Sequence, residues 1–238
     1  MHKKKNIAIF VAARSGSKRL KNKHFLKINS ELSVIDLCIL RLKKTKITKK
    51  IFLCTTKKKI DNKFKKICLK HKINLFRGDE NNVLKRFIDC AHQNSIEIIV
   101  RITGDCPLID PKIIDKCVEL HLKKKMDYTT NTINVTFPDG LDVEVVNFNS
   151  LKKSLKNSNT KYNKEHVTGF IRSSKLFKKY NYKYYSNYSN RRWTLDYLRD
   201  FNYIKRVVKF FYPNIYFGWK DLIKFEKINK TLINIKQR

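Results

Sequence analysis

Three clusters in this sequence combine charge with hydroxyls or backbone freedom in a way that suits chemistry on phosphates. The first is Ala13-Arg14-Ser15-Gly16-Ser17-Lys18-Arg19-Leu20, continuing to Lys23. One glycine, two hydroxyls and five cations within the ten positions from Arg14 to Lys23 suit a loop wrapped round a polyphosphate. Gly16 permits close backbone approach, N–H groups can point at oxygens, and Arg14, Lys18, Arg19 and Lys23 can neutralise charge. The pattern is neither the Gly-Lys-Ser/Thr phosphate loop nor the dinucleotide glycine fingerprint. The second cluster, Arg101-Ile102-Thr103-Gly104-Asp105-Cys106-Pro107-Leu108-Ile109-Asp110-Pro111, offers two carboxylates. Asp110-Pro111 reads as a helix cap and first helical residue. Asp105 is then the better candidate to hold a metal. The third, Arg191-Arg192-Trp193-Thr194-Leu195-Asp196, closes an extended run with another acid. Mg²⁺ is commonly held by one or two carboxylates together with phosphate oxygens and water, so Asp105 and Asp196 make a pair if the fold joins them.

The elements that must carry these clusters follow from periodicity. Asn6 to Ala12 is an apolar run bounded by charge and reads as a buried strand emptying into the basic loop. Ser33-Val34-Ile35-Asp36 opens a helix with a side-chain oxygen at its cap and an acid in its first turn. Strands follow at Ile51 to Thr55, Asn74 to Phe76 and Glu97 to Thr103, with helical spacing over Asp61 to Lys72 and from Asn82 onward. Regular alternation of this kind predicts right-handed βαβ units and a mostly parallel sheet covered on both faces. Ligands of such sheets bind beyond the carboxyl ends of the strands, where the first two clusters fall. After Met126 the rhythm changes to extended segments around Pro138-Asp139-Gly140. Helix returns over Asp200 to Phe211.

Composition bounds the rest. With 238 residues, 42% of them hydrophobic, the chain can bury one large core, and no apolar stretch approaches the ~20 residues of a membrane helix. No signal-peptide pattern opens it, and six scattered cysteines without a C-x-x-C pair read as free thiols. Both points suggest the cytoplasm. A formal charge of +34 taken alone suggests a nucleic-acid partner. The lysines, however, are spread along the whole chain among Asn and Ile, as compositional bias would place them, rather than gathered on one arm. Trp193 is expected in the core and Cys106 in a structural role.

The blocks Ala13 to Leu20, Phe76-Arg77-Gly78 with Val83-Leu84, Val100 to Pro111, Tyr128 with Asn131-Thr132, Pro138 to Val145, Glu165-His166-Val167-Thr168 and Arg192 to Asp196 occur in an order that resembles a known family. It is the cytidylyltransferases that make CMP-activated 3-deoxy-manno-octulosonate and acylneuraminates, in the spore-coat polysaccharide biosynthesis protein F branch. The resemblance covers nearly the whole chain. It implies an α/β fold with a Rossmann-like sheet, helices on both faces, and a smaller inserted β/α lobe over residues 133–190 for sugar binding and homodimerisation. It implies a reaction in which an acidic sugar, such as a nonulosonic acid, attacks the α-phosphorus of CTP and releases pyrophosphate, for surface polysaccharide or glycan synthesis. By matching positions, Arg14, Ser17, Lys18 and Lys23 would hold the phosphates, beside Ser15, Gly16 and Arg19 of the same loop. Asp105 and Asp196 would hold Mg²⁺, and Arg77 would line the base and ribose pocket. Arg14, Lys23, Asp105 and Asp196 would carry the catalysis. The sugar would lie against Asp142, Glu144 and His166, although His166 is equally readable as a structural histidine. Lys57, Asn82, Gly169 and Leu198 depart from the family pattern. Two rival readings remain: a non-catalytic nucleotide-sugar-binding protein of the same fold, and a nucleic-acid-binding protein suggested by charge alone.

Overall fold

A computed structural model describes residues 5–17, 19–157 and 160–230. The buried runs become strands β1 (Ile7–Ala12), β2 (Ile51–Thr56), β3 (Asn74–Gly78) and β4 (Ile98–Thr103), followed by β5 (Tyr128–Thr130), β6 (Glu144–Asn147) and β7 (Lys179–Asn181). They form one seven-stranded sheet in the order β3-β2-β1-β4-β6-β5-β7. The first four are mutually parallel, β6 runs antiparallel to both β4 and β5, and β5 pairs parallel with β7. From β1 the chain winds outward through β2 and β3, then returns to place β4 on the other side of β1. The carboxyl ends of β1 and β4 therefore flank a switch point.

Apolar residues alternate between two cores. Ile9, Val11, Val100 and Ile102 face one core with α1 (Val34–Leu42), α2 (Lys63–His71), α4 (Pro111–Lys123), α8 (Leu198–Phe211) and α9 (Trp219–Ile228). Ala8, Phe10 and Ile99 face the other with α3 (Val83–Gln93), α5 (Phe148–Asn157) and α7 (Gly169–Ser173). The remaining helix, α6, spans Lys161–His166. Ser33 and Asp36 form the expected capping box of α1. Asp110 caps α4 through Lys112 N, yet its second oxygen accepts from Trp219 N, so it also ties α9 to the end of β4's loop. The expected turn at Pro138-Asp139-Gly140 is present, with Leu141 N donating to Pro138 O at 3.2 Å, but residues 132–135 also turn and strand resumes only at Glu144; α9 is a helix that periodicity alone did not reveal. Residues 133–190 contribute β6, α5, α6, α7 and β7, and both strands continue the same sheet. All six cysteines are buried free thiols.

One buried cation joins the distant parts of the larger core. Arg41, at 1% exposure, stacks on Phe217 and donates to the carbonyls of Ile109, Ile215 and Phe217 at 2.9, 2.7 and 2.9 Å. Those carbonyls would otherwise be buried without donors. Arg41→Met should lower unfolding free energy by about 3 kcal/mol, since several buried acceptors lose their partner at once. Urea denaturation followed by circular dichroism would measure it, and a loss under about 1 kcal/mol would show that water takes over the role.

Candidate active site

A cavity of about 620 Å³ opens at the switch point, floored by Ala12, Arg101 and Thr103 at the ends of β1 and β4. The basic loop forms one wall through Arg14, Gly16, Ser17 and Arg19. Val83 and Arg86 of α3 form a second wall, and Glu165 and His166 of α6 a third. Asp61 shapes the loop: it accepts from Ser15 N at 2.7 Å and from the Thr56 hydroxyl. A Cβ added at Gly16 would meet nothing within 4 Å, so the loop backbone there is bare to an incoming group. Across the mouth, Arg14 Nη2 lies 3.3 Å from Glu165 Oε1. The helix carrying Glu165 ends at buried Val167 with φ 61°, a backbone conformation uncommon for a β-branched residue.

The second and third clusters meet here. Lys23 Nζ, on a side chain 9% exposed, lies 2.6 Å from Asp105 Oδ2 and 3.0 Å from Asp196 Oδ1, and donates to Leu195 O at 2.9 Å. Two carboxylates ninety-one positions apart in sequence thus touch one nitrogen. Their approach is fixed by backbone contacts: Leu195 N donates to Asp105 O at 2.8 Å, and Thr194 Oγ1 to the same oxygen at 3.2 Å. Behind them the Pro138-Asp139-Gly140 turn clamps the Asp196 segment, with Asp139 N donating to Arg191 O and Trp193 N to Asp139 O at 3.0 and 2.7 Å. Gly140 has φ +105°, and a Cβ there would fall 2.6 Å from the Trp193 carbonyl carbon. Trp193 is fully buried and donates through Nε1 to Glu226 at 2.8 Å. Arg19 and Arg192 add further cations on Asp196, at 2.7 and 2.8 Å.

These contacts set the charges. Burial pulls the Lys23 ammonium down, but Asp105 and Asp196 outweigh it, and its pKa is raised overall. Burial pushes Asp105 up, whereas the charge and hydrogen bond of Lys23 hold it below the ordinary carboxylate value. Asp196, also opposed by burial, is lowered to about 2 by Lys23, Arg19 and Arg192. His24, at 4% exposure, lines the cavity with its Nδ1 unpartnered, and burial lowers it to about 4, so its imidazole is neutral at pH 7.

Several residues expected at the site stand elsewhere. Ser15 is 5% exposed and its N–H is spent on Asp61, because the loop needs an anchor beneath it. Arg77 turns away from this cavity: its guanidinium donates to Thr56 O, Lys58 O and Asn62 Oδ1, bracing the end of β2, and it lines a separate pocket with Lys57 and Asp79. Glu144, at 3% exposure, is a buried acceptor for Arg101, Tyr128 and Thr168 rather than a cavity-wall residue. Asp142 does not line the cavity either. His166 does, with its ring 4.4 Å from that of Tyr162. Lys18 lies outside the described residues. Sequence reasoning passed over Arg86, Arg101, His24 and Glu165. A signal existed for Arg101, the one charge in the apolar run of β4. Another existed for Arg86, since Gly78 leaves the space its Cγ fills, 2.7 Å from where a Cβ would stand. Two departures find local reasons: Asn82 caps α3 through Lys85 N at 2.8 Å, and at Gly169 a Cβ would strike Asn163 Oδ1 at 2.4 Å.

A doubly wound sheet with a basic loop at its switch point, facing paired carboxylates, has the architecture of a nucleotide-binding α/β protein. The cytidylyltransferase family model matches residues 8–231, and the chain belongs to that family. It is 40% identical to the uncharacterized protein MJ1063 of Methanocaldococcus jannaschii over 94% of this chain and 92% of that one. It is 30% identical to the spore coat polysaccharide biosynthesis protein SpsF of Bacillus subtilis over 71% and 70%. A cytidylyltransferase structure from Leptospira borgpetersenii superposes with TM-score 0.93 at 31% identity, covering 98% of this chain and 99% of its own. A CMP:2-keto-3-deoxy-manno-octonic acid synthetase complexed with CTP shares the fold at TM-score 0.63 and 12% identity, over 85% and 98%.

The lowered Asp196 has a consequence for stability. A carboxyl group held below its unfolded value contributes stability that is complete above about pH 4 and is lost as pH falls through its folded value. The unfolding free-energy difference between wild type and Asp196→Asn should therefore be level from pH 7 to 5 and shrink toward pH 2. Denaturant titrations at each pH test this; a gap that stays level to pH 2 would mean the three cations do not favour the ionised form.

Proposed function

We propose that this protein transfers the cytidylyl group of CTP to a hydroxyl of an acidic sugar, releasing pyrophosphate, in the synthesis of a surface polysaccharide or glycan. The observation that carries this reading is the meeting of Asp105 and Asp196 on Lys23 beside the basic loop, in a member of the cytidylyltransferase family. The polysaccharide context rests on the likeness to SpsF. Arg14, Ser17 and Arg19 lie where they can hold the phosphates, with the bare backbone at Gly16 allowing close approach. In-line displacement at phosphorus asks the protein chiefly for positioning and charge stabilisation.

The donor set suits Mg²⁺. Among the described residues no group of three or more His, Cys, Asp or Glu gathers as a metal cage. Two converging carboxylates are what a Mg²⁺ ion needs from a protein when phosphate oxygens and water complete its shell. Asp105 Oδ1 is not taken by Lys23 and has the Cys106 thiol 3.8 Å away, leaving a hard oxygen for an ion. Bound there, Mg²⁺ supplies charge neutralisation on the phosphates. Lys23 then keeps the pair at working distance and the cations on Asp196 hold its orientation. Residues 133–190 form the homodimer surface in this reading, with Tyr185, 89% exposed, among its contacts. The enzyme acts in the cytoplasm.

Incubation with each of the four nucleoside triphosphates and a panel of acidic and neutral sugars, with Mg²⁺, should give pyrophosphate and a CMP-sugar from CTP and an acidic sugar. Equal turnover with UTP or ATP, or with a neutral sugar, would refute the reading. Asp105→Asn and Asp196→Asn should each lower kcat by roughly a hundredfold or more, because a charge needed in the transition state is removed. Chelation of divalent ions should abolish turnover, and readdition of Mg²⁺ should restore it. Light scattering should report twice the mass of the chain.

A further inference from the structure

The three cations on Asp196 are not alike. Lys23 is buried and held on three sides, by Asp105 Oδ2, Leu195 O and Asp196 Oδ1. Arg192, its side chain 13% exposed, is fixed between Asp139, Asp196 and Asp200. The Arg19 side chain is 57% exposed and lies over the Tyr197 ring. Among the described residues its guanidinium donates to Asp196 alone, through Nη2 at 2.7 Å. Asp196 is anchored where it stands, because its N–H donates to Asp200 Oδ2 at 2.9 Å at the head of α8. Of the carboxylate pair only Asp105 lines the cavity, whereas Arg19 and Lys23, the two cations on Asp196 Oδ1, both line it. A carboxylate oxygen offers about two lone pairs, so Oδ1 is filled while Arg19 stays.

We infer that Arg19 is an exchangeable counter-ion: it holds Asp196 Oδ1 until an incoming triphosphate draws it off, and so frees that oxygen for a divalent cation. This rests on the reading of the protein as a nucleotidyltransferase with a metal on Asp105 and Asp196. An exposed ion pair is weak, and a polyphosphate offers a guanidinium several anionic oxygens where Asp196 offers one. Arg14 is held in the same way by Glu165, so both exposed arginines of the loop stand on carboxylates that a phosphate can replace. Only one of those carboxylates is a metal position. A divalent ion is repelled by a guanidinium in contact with the same oxygen, and finds the oxygen open once the guanidinium has moved. Nucleotide and metal thus each take one half of the broken ion pair, which couples their binding positively. Lys23 and Arg192, held by several partners each, stay in place and keep the two carboxylates aligned during the exchange.

The test uses the full chain without acceptor sugar and has two readouts. Mn²⁺ affinity of the chain alone is read from the paramagnetic signal of free Mn²⁺, and CTP affinity is read by calorimetry in the presence of a chelator. Arg19→Gln should bind Mn²⁺ about tenfold more tightly than wild type and CTP about fivefold more weakly. Arg14→Gln removes an equal charge from the same loop without touching Asp196. It should weaken CTP similarly, while its Mn²⁺ affinity stays within about twofold of wild type at about 0.15 M salt, where more distant charges are screened. Added to Asp196→Asn, Arg19→Gln should bring no gain in Mn²⁺ affinity, because the oxygen it frees no longer carries charge. Equal Mn²⁺ gains in the two arginine variants would reduce the effect to a uniform field of the loop and overturn the inference. Unchanged Mn²⁺ affinity in Arg19→Gln would overturn it too, as would unchanged CTP affinity, which would make Arg19 a fixed support of Asp196. Each of those results leaves CTP binding by the wild type, and with it cytidylyl transfer, in place; a wild type that does not bind CTP would overturn that reading and the inference together.

Discussion

The organisation of this candidate site depends on a single ammonium group. Asp105 and Asp196 are brought close enough to touch the same atom, and two carboxylates so placed repel each other strongly where water is scarce. Lys23 removes that repulsion by standing between them and satisfying Leu195 O as well. Everything that positions the pair serves this arrangement. The end of β4 delivers Asp105, the short 3₁₀ turn Lys23–Phe25 delivers the lysine, and the turn at Asp139 and Gly140 presses the Asp196 segment against the backbone of Asp105. Arg19 and Arg192 then set the direction of Asp196 from outside. The carboxylate pair is a tertiary construction in which no partner is near in sequence.

Much of the framework was legible because it is written in local signals. Buried strands, capped helices and βα alternation identify a doubly wound sheet, and the switch-point rule then directs attention to the loops after Ala12 and Thr103. Asp105 and Asp196 were legible for the same reason: each ends an extended run. Placement was not legible where a side chain's partner is set by register or by a third element. Arg77 and Arg101 are both arginines on strands. β3 lies outermost and leaves Arg77 to brace the loop after β2, whereas β4 lies central and carries Arg101 into the cavity floor. Glu144 stands in a block that looked like a sugar contact, but pairing of β6 with β4 sets it directly beside Arg101. Ser15 was read as one more hydroxyl of the loop, and the fold uses its N–H as a foundation.

The large positive charge also divides by location. Most of the described lysines are exposed, in loops as much as on helices, while the buried cations Lys23, Arg41 and Arg86 each have defined acceptors. Arg86 donates to the carbonyls of Asp79, Glu80 and Cys54, holding the β3–α3 connection against the cavity wall. A charge that is paid for by specific acceptors is part of the architecture, whereas the dispersed surface lysines set solubility and long-range attraction for anions.

The turn at Gly140 carries an evolutionary consequence. Its φ of +105° and the 2.6 Å separation between a would-be Cβ and the Trp193 carbonyl carbon exclude side chains on two independent grounds, and the obstructing atom is backbone. Drift at this position is therefore closed, although the residue contacts neither of the paired carboxylates. Substrate preference can diversify through the cavity walls and floor. The spacing of the two carboxylates cannot drift with it, because it is inherited from a contact between two backbones that tolerates no side chain.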